Sequence, residues 1–190
     1  LPKTDDSKRS IRNEVNILRK LNVDILPRIT RYEDCISEQT FIHGKPSAKI
    51  LNSKHFELLR RFPRNAQLIS INEIIINTRS NKVKNNYLID SLLGLIKNQF
   101  YRITFEHGDF TPWNIKEIET GEYTIYDFEF SEMKSVPFMD VIHFTFAVEV
   151  FICRNYSTTI ILNKLLALSY LKELNFIYDD KLTLDHVIIY

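Results

Sequence analysis

The sequence predicts an α+β fold with helices and antiparallel strand pairs kept in separate stretches, and three features carry that prediction. A helical periodicity beginning at Ser7 leads into two short apolar segments, a turn at Gly121 joins two strand-like runs, and the C-terminal third holds three helical patterns in succession. The 190 residues are 44% hydrophobic and 26% charged and fit one domain or slightly more. A domain of this size buries roughly 70% of the surface its unfolded chain exposes, so a substantial core is expected, and neither disorder nor a fibrous repeat is.

Taken in order, Ile11, Val15, Ile17, Leu18 and Leu21 recur at helical spacing from Ser7 to Leu21, with Asp5 or Asp6 as cap. Leu26 to Tyr32 and Cys35 to Ile42, separated by Glu33-Asp34, suggest an antiparallel hairpin that His43-Gly44-Lys45-Pro46 ends. Leu51 to Phe62 reads as a helix stopped by Pro63. After Asn65, a helical region carries Leu68, Ile69, Ile71 and Ile74 to Ile76, and a second pattern runs from Tyr87 through Leu95 to end near Phe100. Polar Thr78 to Asn86 between them is either a loop or the exposed part of one long helix.

Tyr101 to Phe105 alternates as a short strand, and Trp113 to Ile118 and Tyr123 to Phe128 form a hairpin around Glu119-Thr120-Gly121-Glu122, where Gly121 tolerates positive φ. Met139 to Phe151, Thr158 to Leu174 and Leu182 to Ile189 read as helices, with Asn175 to Asp180 as a connector. The most apolar stretch, Val141 to Cys153, is interrupted by His143 and Glu149 and is shorter than the ~20 residues a bilayer span needs. It reads as a buried helix.

Composition narrows the function. The net charge is +1 and the Lys and Arg residues are interspersed with Asp and Glu, so no field suited to nucleic acid is expected. The local cluster of Arg60, Arg61 and Arg64 is read as helix-end cations complementing the dipole, with steering of an anionic substrate as the alternative. Cys35 and Cys153 have no CxxC partner and are read as reduced, in keeping with a cytoplasmic location. The start at Leu1-Pro2-Lys3-Thr4-Asp5-Asp6 has no apolar leader and no initiator Met, from which an incomplete or processed chain without membrane contact is expected. Nothing here sets the oligomeric state.

The chemistry is concentrated in His107-Gly108-Asp109-Phe110-Thr111-Pro112-Trp113-Asn114 and in Asp127-Phe128-Glu129. In phosphoryl transfer by kinases one carboxylate orients the attacking hydroxyl, while an Asn and a second Asp hold the magnesium ions. Protein kinases space these as H-R-D-x-x-x-x-N, followed later by D-F-G. Here Gly108 stands in place of the Arg, Asp109 and Asn114 keep the spacing, and Asp127 lies at the far end of the next hairpin.

These motifs, with Pro137-Phe138-Met139-Asp140 after them, resemble the aminoglycoside phosphotransferase and choline kinase family of small-molecule phosphotransferases. The resemblance implies a protein-kinase-like fold: a partial N-lobe over residues 1–44, consisting of the αC helix and two strands, and a mainly helical C-lobe with a catalytic β-hairpin over 45–190. It implies that Asp109 is catalytic, that His107 holds the loop, that Asn114 and Asp127 bind Mg2+, and that Asp140 supports the loop from below. It also implies that Glu14 matches the αC glutamate and that Phe41, Ile42 and His43 belong to a hinge whose backbone contacts the adenine of ATP. A solvated helix carboxylate is the plain alternative for Glu14.

Glu129 occupies the Gly position of D-F-G, which within this resemblance favours a small hydroxylated acceptor, such as an amino alcohol, sugar or aminoglycoside, over a protein. Trp113 and Phe128 are read as packing residues that fix the loop, and His143 as a satisfied core histidine. No glycine precedes Gly44, so the phosphate-covering loop and the lysine partner of Glu14 are not visible, and Lys3 is a weak substitute. Two readings stand: a small-molecule kinase, inactive if truncated, and a non-catalytic kinase-like binding module or remnant.

Overall fold

A computed structural model describes residues 4–21, 23–33, 36–71, 73, 94, 96, 99–167 and 171–190. It is an α+β molecule with small antiparallel sheets and six helices among the described residues. Helix α1, Asp5–Leu21, opens with two acidic residues and closes with Arg19 and Lys20, each placed to favour the helix dipole, and buries Val15, Ile17, Leu18 and Leu21. It leads to a two-stranded ribbon of β1, Ile29–Glu33, and β2, Ile36–Gln39, as the sequence predicts.

Two three-stranded sheets follow. In one, β3, Lys45–Pro46, pairs with β6, Ile115–Glu117, which pairs with β7, Tyr123–Ile125. The turn joining β6 and β7 contains Gly121 at φ 81°, the positive region expected of it. In the other sheet β5, Phe100–Glu106, is central, flanked by β4, Arg64–Ser70, and β8, Glu132–Ser135. Helix α2, Ser53–Arg60, packs against β7 and against a later helix over Leu171–Tyr178. Its cap is reciprocal: the Asn52 side chain accepts from the Lys54 and His55 backbone N–H groups, and the His55 ring accepts from the Asn52 N–H.

Strand β4 corrects an expectation, because the residues after Asn65, through Ser70, read in sequence as the start of a helical region. Along it Arg64 to Leu68 are exposed, Ile69 is buried and Ser70 half-buried, and its extended backbone is set by antiparallel pairing of Leu68 with Arg102, Ile69 with Tyr101 and Ser70 with Phe100. A short apolar run fits either period, and a partner 30-odd residues away decided it. The rest of that expectation, Ile74 to Leu95 with the polar segment Thr78 to Asn86, lies almost wholly outside the described residues, as do Cys35 and Lys3.

The C-terminal third is helical: α3, Met139–Ala147, continues through a π turn, Val148–Ile152, and is followed by α4, Thr158–Leu166, α5, Leu171–Tyr178, and α6, Leu184–Ile189. The expected helix from Thr158 to Leu174 is thus two helices, and the expected connector begins later, at Asp179. Burial of Leu174, Ile177 and Tyr178 carries α5 past Asn175, and Asp179 at φ 49° ends it. Helix α3 is buried almost all round, as its apolar sequence requires, and Phe56, Phe110, Phe128, Phe138 and Phe144 are fully enclosed at the centre of the core. Among the described residues no helix is long and apolar enough to cross a membrane.

The arginine cluster is spent internally. Arg60 pairs with Glu57 and Glu173, Arg61 with Glu122, and Arg64 donates to the carbonyls of Ile177 and Arg60. Cys153 is exposed and forms no disulfide.

Candidate functional site

The site begins with a buried carboxylate. Asp140, on the first turn of α3, is 2% exposed and accepts the backbone N–H groups of His107, at 3.0 and 3.1 Å, and of Gly108, at 3.1 Å. Phe138 caps α3 at φ 68°, an unfavourable conformation for a bulky residue, and is held there by full burial against Tyr178 and His186. That turn is what brings Asp140 beneath the 107–114 loop.

Gly108 is required by the backbone. Its φ is 81°, and a Cβ there would stand 2.5 Å from the carbonyl oxygen of Phe130, closer than nonbonded atoms approach. The 107–114 loop therefore lies directly against the 127–131 turn. Ser131 Oγ donates to the His107 carbonyl at 2.8 Å, and Asn13 on α1 donates to the carbonyls of Glu129 and Ser131, both at 2.9 Å.

His107 is fully buried with its ring against Phe128, and its Nδ1 accepts the Asp109 N–H at 3.3 Å. Burial pulls its pKa down to about 3, so the ring is neutral and braces the loop. Asp109 has both carboxylate oxygens engaged. Oδ2 accepts from Asn114 Nδ2 at 2.8 Å, and Oδ1 lies 3.1 Å from Nε2 of His143. The hydrogen bond from His143 is the main reason its pKa lies below the ordinary carboxylate range, and Asn114 adds to it. Asp109 is consequently an ionised acceptor of hydrogen bonds.

Asn114 also donates to the Asp109 carbonyl at 3.1 Å, and its own backbone carbonyl accepts the Tyr126 N–H at 3.0 Å across the hairpin. The next residue, Asp127, adopts φ 67°, a conformation that Asp tolerates better than most side chains. Partial burial of its carboxylate, then the charges of Glu129, Glu14 and Asp109, push its pKa up to about 6. Crowded negative charge of this kind is relieved by a cation, and hard oxygen donors such as Asp127 and the Asn114 amide suit Mg2+ that keeps water and phosphate in its shell. Among the described residues, however, no three His, Cys, Asp or Glu side chains are grouped closely enough to hold a metal ion by themselves.

Glu14 takes a role that neither sequence alternative included: its carboxylate accepts the Phe128 N–H at 3.3 Å, so α1 grips the Asp127 turn through two adjacent residues, Asn13 and Glu14. Phe41 is 71% exposed and meets the His43 ring edge-on at 4.8 Å. The Ile42 carbonyl accepts the Tyr126 hydroxyl at 2.7 Å, tying this segment to the residue before Asp127. Phe128 is a packing residue, fully buried; Trp113 is not, being half exposed with its ring against exposed Phe151.

Sequence reasoning missed His143 as a site residue, although its spacing held the signal: Asp140 and His143 are three apart on one helix and so share a face. Both reach the same loop. Asn13 and Ser131 carried no comparable signal. No protein-family model matches the chain, and no curated protein shows significant similarity to it.

Proposed function

We propose that the chain is a protein-kinase-like small-molecule phosphotransferase that moves the γ-phosphate of ATP to a hydroxyl of a small acceptor. The observation that carries this reading is the state of Asp109: ionised, held at both oxygens, and set on a loop whose backbone is bound by a buried carboxylate. A carboxylate so fixed is suited to orient a hydroxyl and to receive its proton as the oxygen attacks phosphorus and ADP departs. Its lowered pKa favours orientation early and proton acceptance late.

In this reading Asn114 and Asp127 hold Mg2+, which neutralises the phosphates when bound, and Phe41 to His43 border the adenine. Glu129 beside Asp127 fits a family whose acceptors are small hydroxylated molecules. The alternative, a non-catalytic binding module, is favoured by one observation, the lack of a three-residue metal-holding group among the described residues.

Calorimetric unfolding with Mg-ATP separates the two. If the nucleotide binds only the folded chain at about a hundred times its Kd, stabilisation of ~2.7 kcal/mol is expected, a shift of several degrees in Tm. With acceptors screened by ATP consumption, Asp109→Asn is expected to abolish transfer while leaving the Mg-ATP shift in place. A shift without turnover on any acceptor would favour the binding module, and full transfer by Asp109→Asn would remove Asp109 from its role.

A further inference from the structure

Of the two groups that hold the Asp109 oxygens, His143 is itself held in turn. His143 is the only described polar side chain of α3 besides Asp140 that reaches the 107–114 loop, and its side chain is 27% exposed. Its Nδ1 lies 3.0 Å from the hydroxyl of Tyr190, which follows α6, and the two rings pack edge to face with centroids 5.9 Å apart. Tyr190 is itself half-buried, with its ring 5.2 Å from that of Phe146.

At the Asp109 end the direction is fixed. An ionised carboxylate can only accept, so Nε2 carries a proton and donates to Asp109 Oδ1, while the Tyr190 hydroxyl, 3.0 Å from Nδ1, holds the ring from its other side. With Asn114 on Oδ2, the carboxylate is pinned at two oxygens from opposite sides and its rotation about χ2 is arrested.

We propose that His143, oriented by Tyr190, is a positioning residue that fixes the Asp109 carboxylate for the acceptor hydroxyl. The proposal rests on the phosphotransferase reading for its purpose but not for its geometry. Loss of the histidine therefore affects the reacting step more than nucleotide binding.

The geometry is tested on the whole chain by long-range proton–nitrogen NMR of the imidazoles at pH about 8, above the ordinary histidine range. His143 is expected as the Nε2–H tautomer, with Tyr190→Phe producing a tautomer mixture and Asp109→Asn shifting Nε2. A wild-type Nδ1–H tautomer, or spectra indifferent to both substitutions, would overturn the proposal. In turnover, His143→Phe is expected to lower kcat by about 10- to 100-fold with KM for Mg-ATP changed by less than about twofold. His143→Gln, which keeps an N–H donor, should recover most of the rate. Equal losses in the Phe and Gln variants, or a loss confined to KM, would also overturn it. An unaltered chain that transfers no phosphate counts against the phosphotransferase reading, and the tautomer result still decides the proposal.

Discussion

The 107–114 loop and the Phe41–His43 segment border the same hairpin but are held in opposite ways. In the loop nearly every polar group has a partner: Asp140 takes two N–H groups, Ser131 a carbonyl, and Asn114 and His143 the two oxygens of Asp109. Phe41 to His43 is exposed along much of its length and is tied down by the Tyr126 hydroxyl on Ile42. The difference teaches that this molecule concentrates its buried polar bonds on holding the Asp109 loop and leaves the Phe41 to His43 segment to side-chain adjustment.

The comparison breaks most severely at its foundation. Asp140→Ala leaves the His107 and Gly108 N–H groups without their acceptor in a dry interior, and a loss of roughly 2–5 kcal/mol is expected in urea denaturation. Gly108→Ala tests the backbone rather than a bond. With φ at 81° and the Phe130 carbonyl 2.5 Å from the new methyl, about 2–4 kcal/mol should be lost, and the loop and the 127–131 turn should separate.

Asp127→Asn should act in the other direction. A carboxyl raised to about 6 in the folded state favours folding at low pH, where it is protonated, and that contribution is lost as pH rises through about 6. The neutral amide, which also accepts positive φ, is therefore expected to stabilise the fold at pH 7 by about 1 kcal/mol after solvent screening is allowed for. The gain should shrink as pH falls from about 6 toward about 4 and be gone below that, and if Asp127 holds Mg2+ the substitution should also weaken the Mg-ATP shift. Thermal unfolding across pH measures both. Smallest is Phe41→Ala, expected to change stability by less than about 0.5 kcal/mol because the ring is 71% exposed, yet to weaken Mg-ATP binding if the segment borders adenine.

How much of this was legible in the residues differs by region. The hairpin after Ile115 and helix α1 could be read directly, since each is built from neighbours in sequence whose period is visible in a short window. The Asp109, Asn114 and Asp127 group was legible as a spacing for the same reason. Strand β4 was not, because Leu68 and Ile69 read as part of a longer apolar pattern running to Ile76 until β5 supplies the partner strand. His143 was legible only as sharing a face with Asp140: on an apolar helix a histidine looks like filling, and the approach of the 107–114 loop is what makes its Nε2 a hydrogen-bond donor to Asp109.

Local order along the chain thus decided which groups could do chemistry and in what sequence they would meet it. Tertiary structure decided how they are aimed. Asp140 and His143 converge on the loop from 30 or more residues away, Tyr190 meets His143 across 47, and Asn13 and Glu14 reach the Asp127 turn across 114 to 118 positions. Such bonds depend on packing of whole elements around Phe110, Phe128 and Phe144, and side-chain burial has no periodicity that announces which distant backbone it will hold.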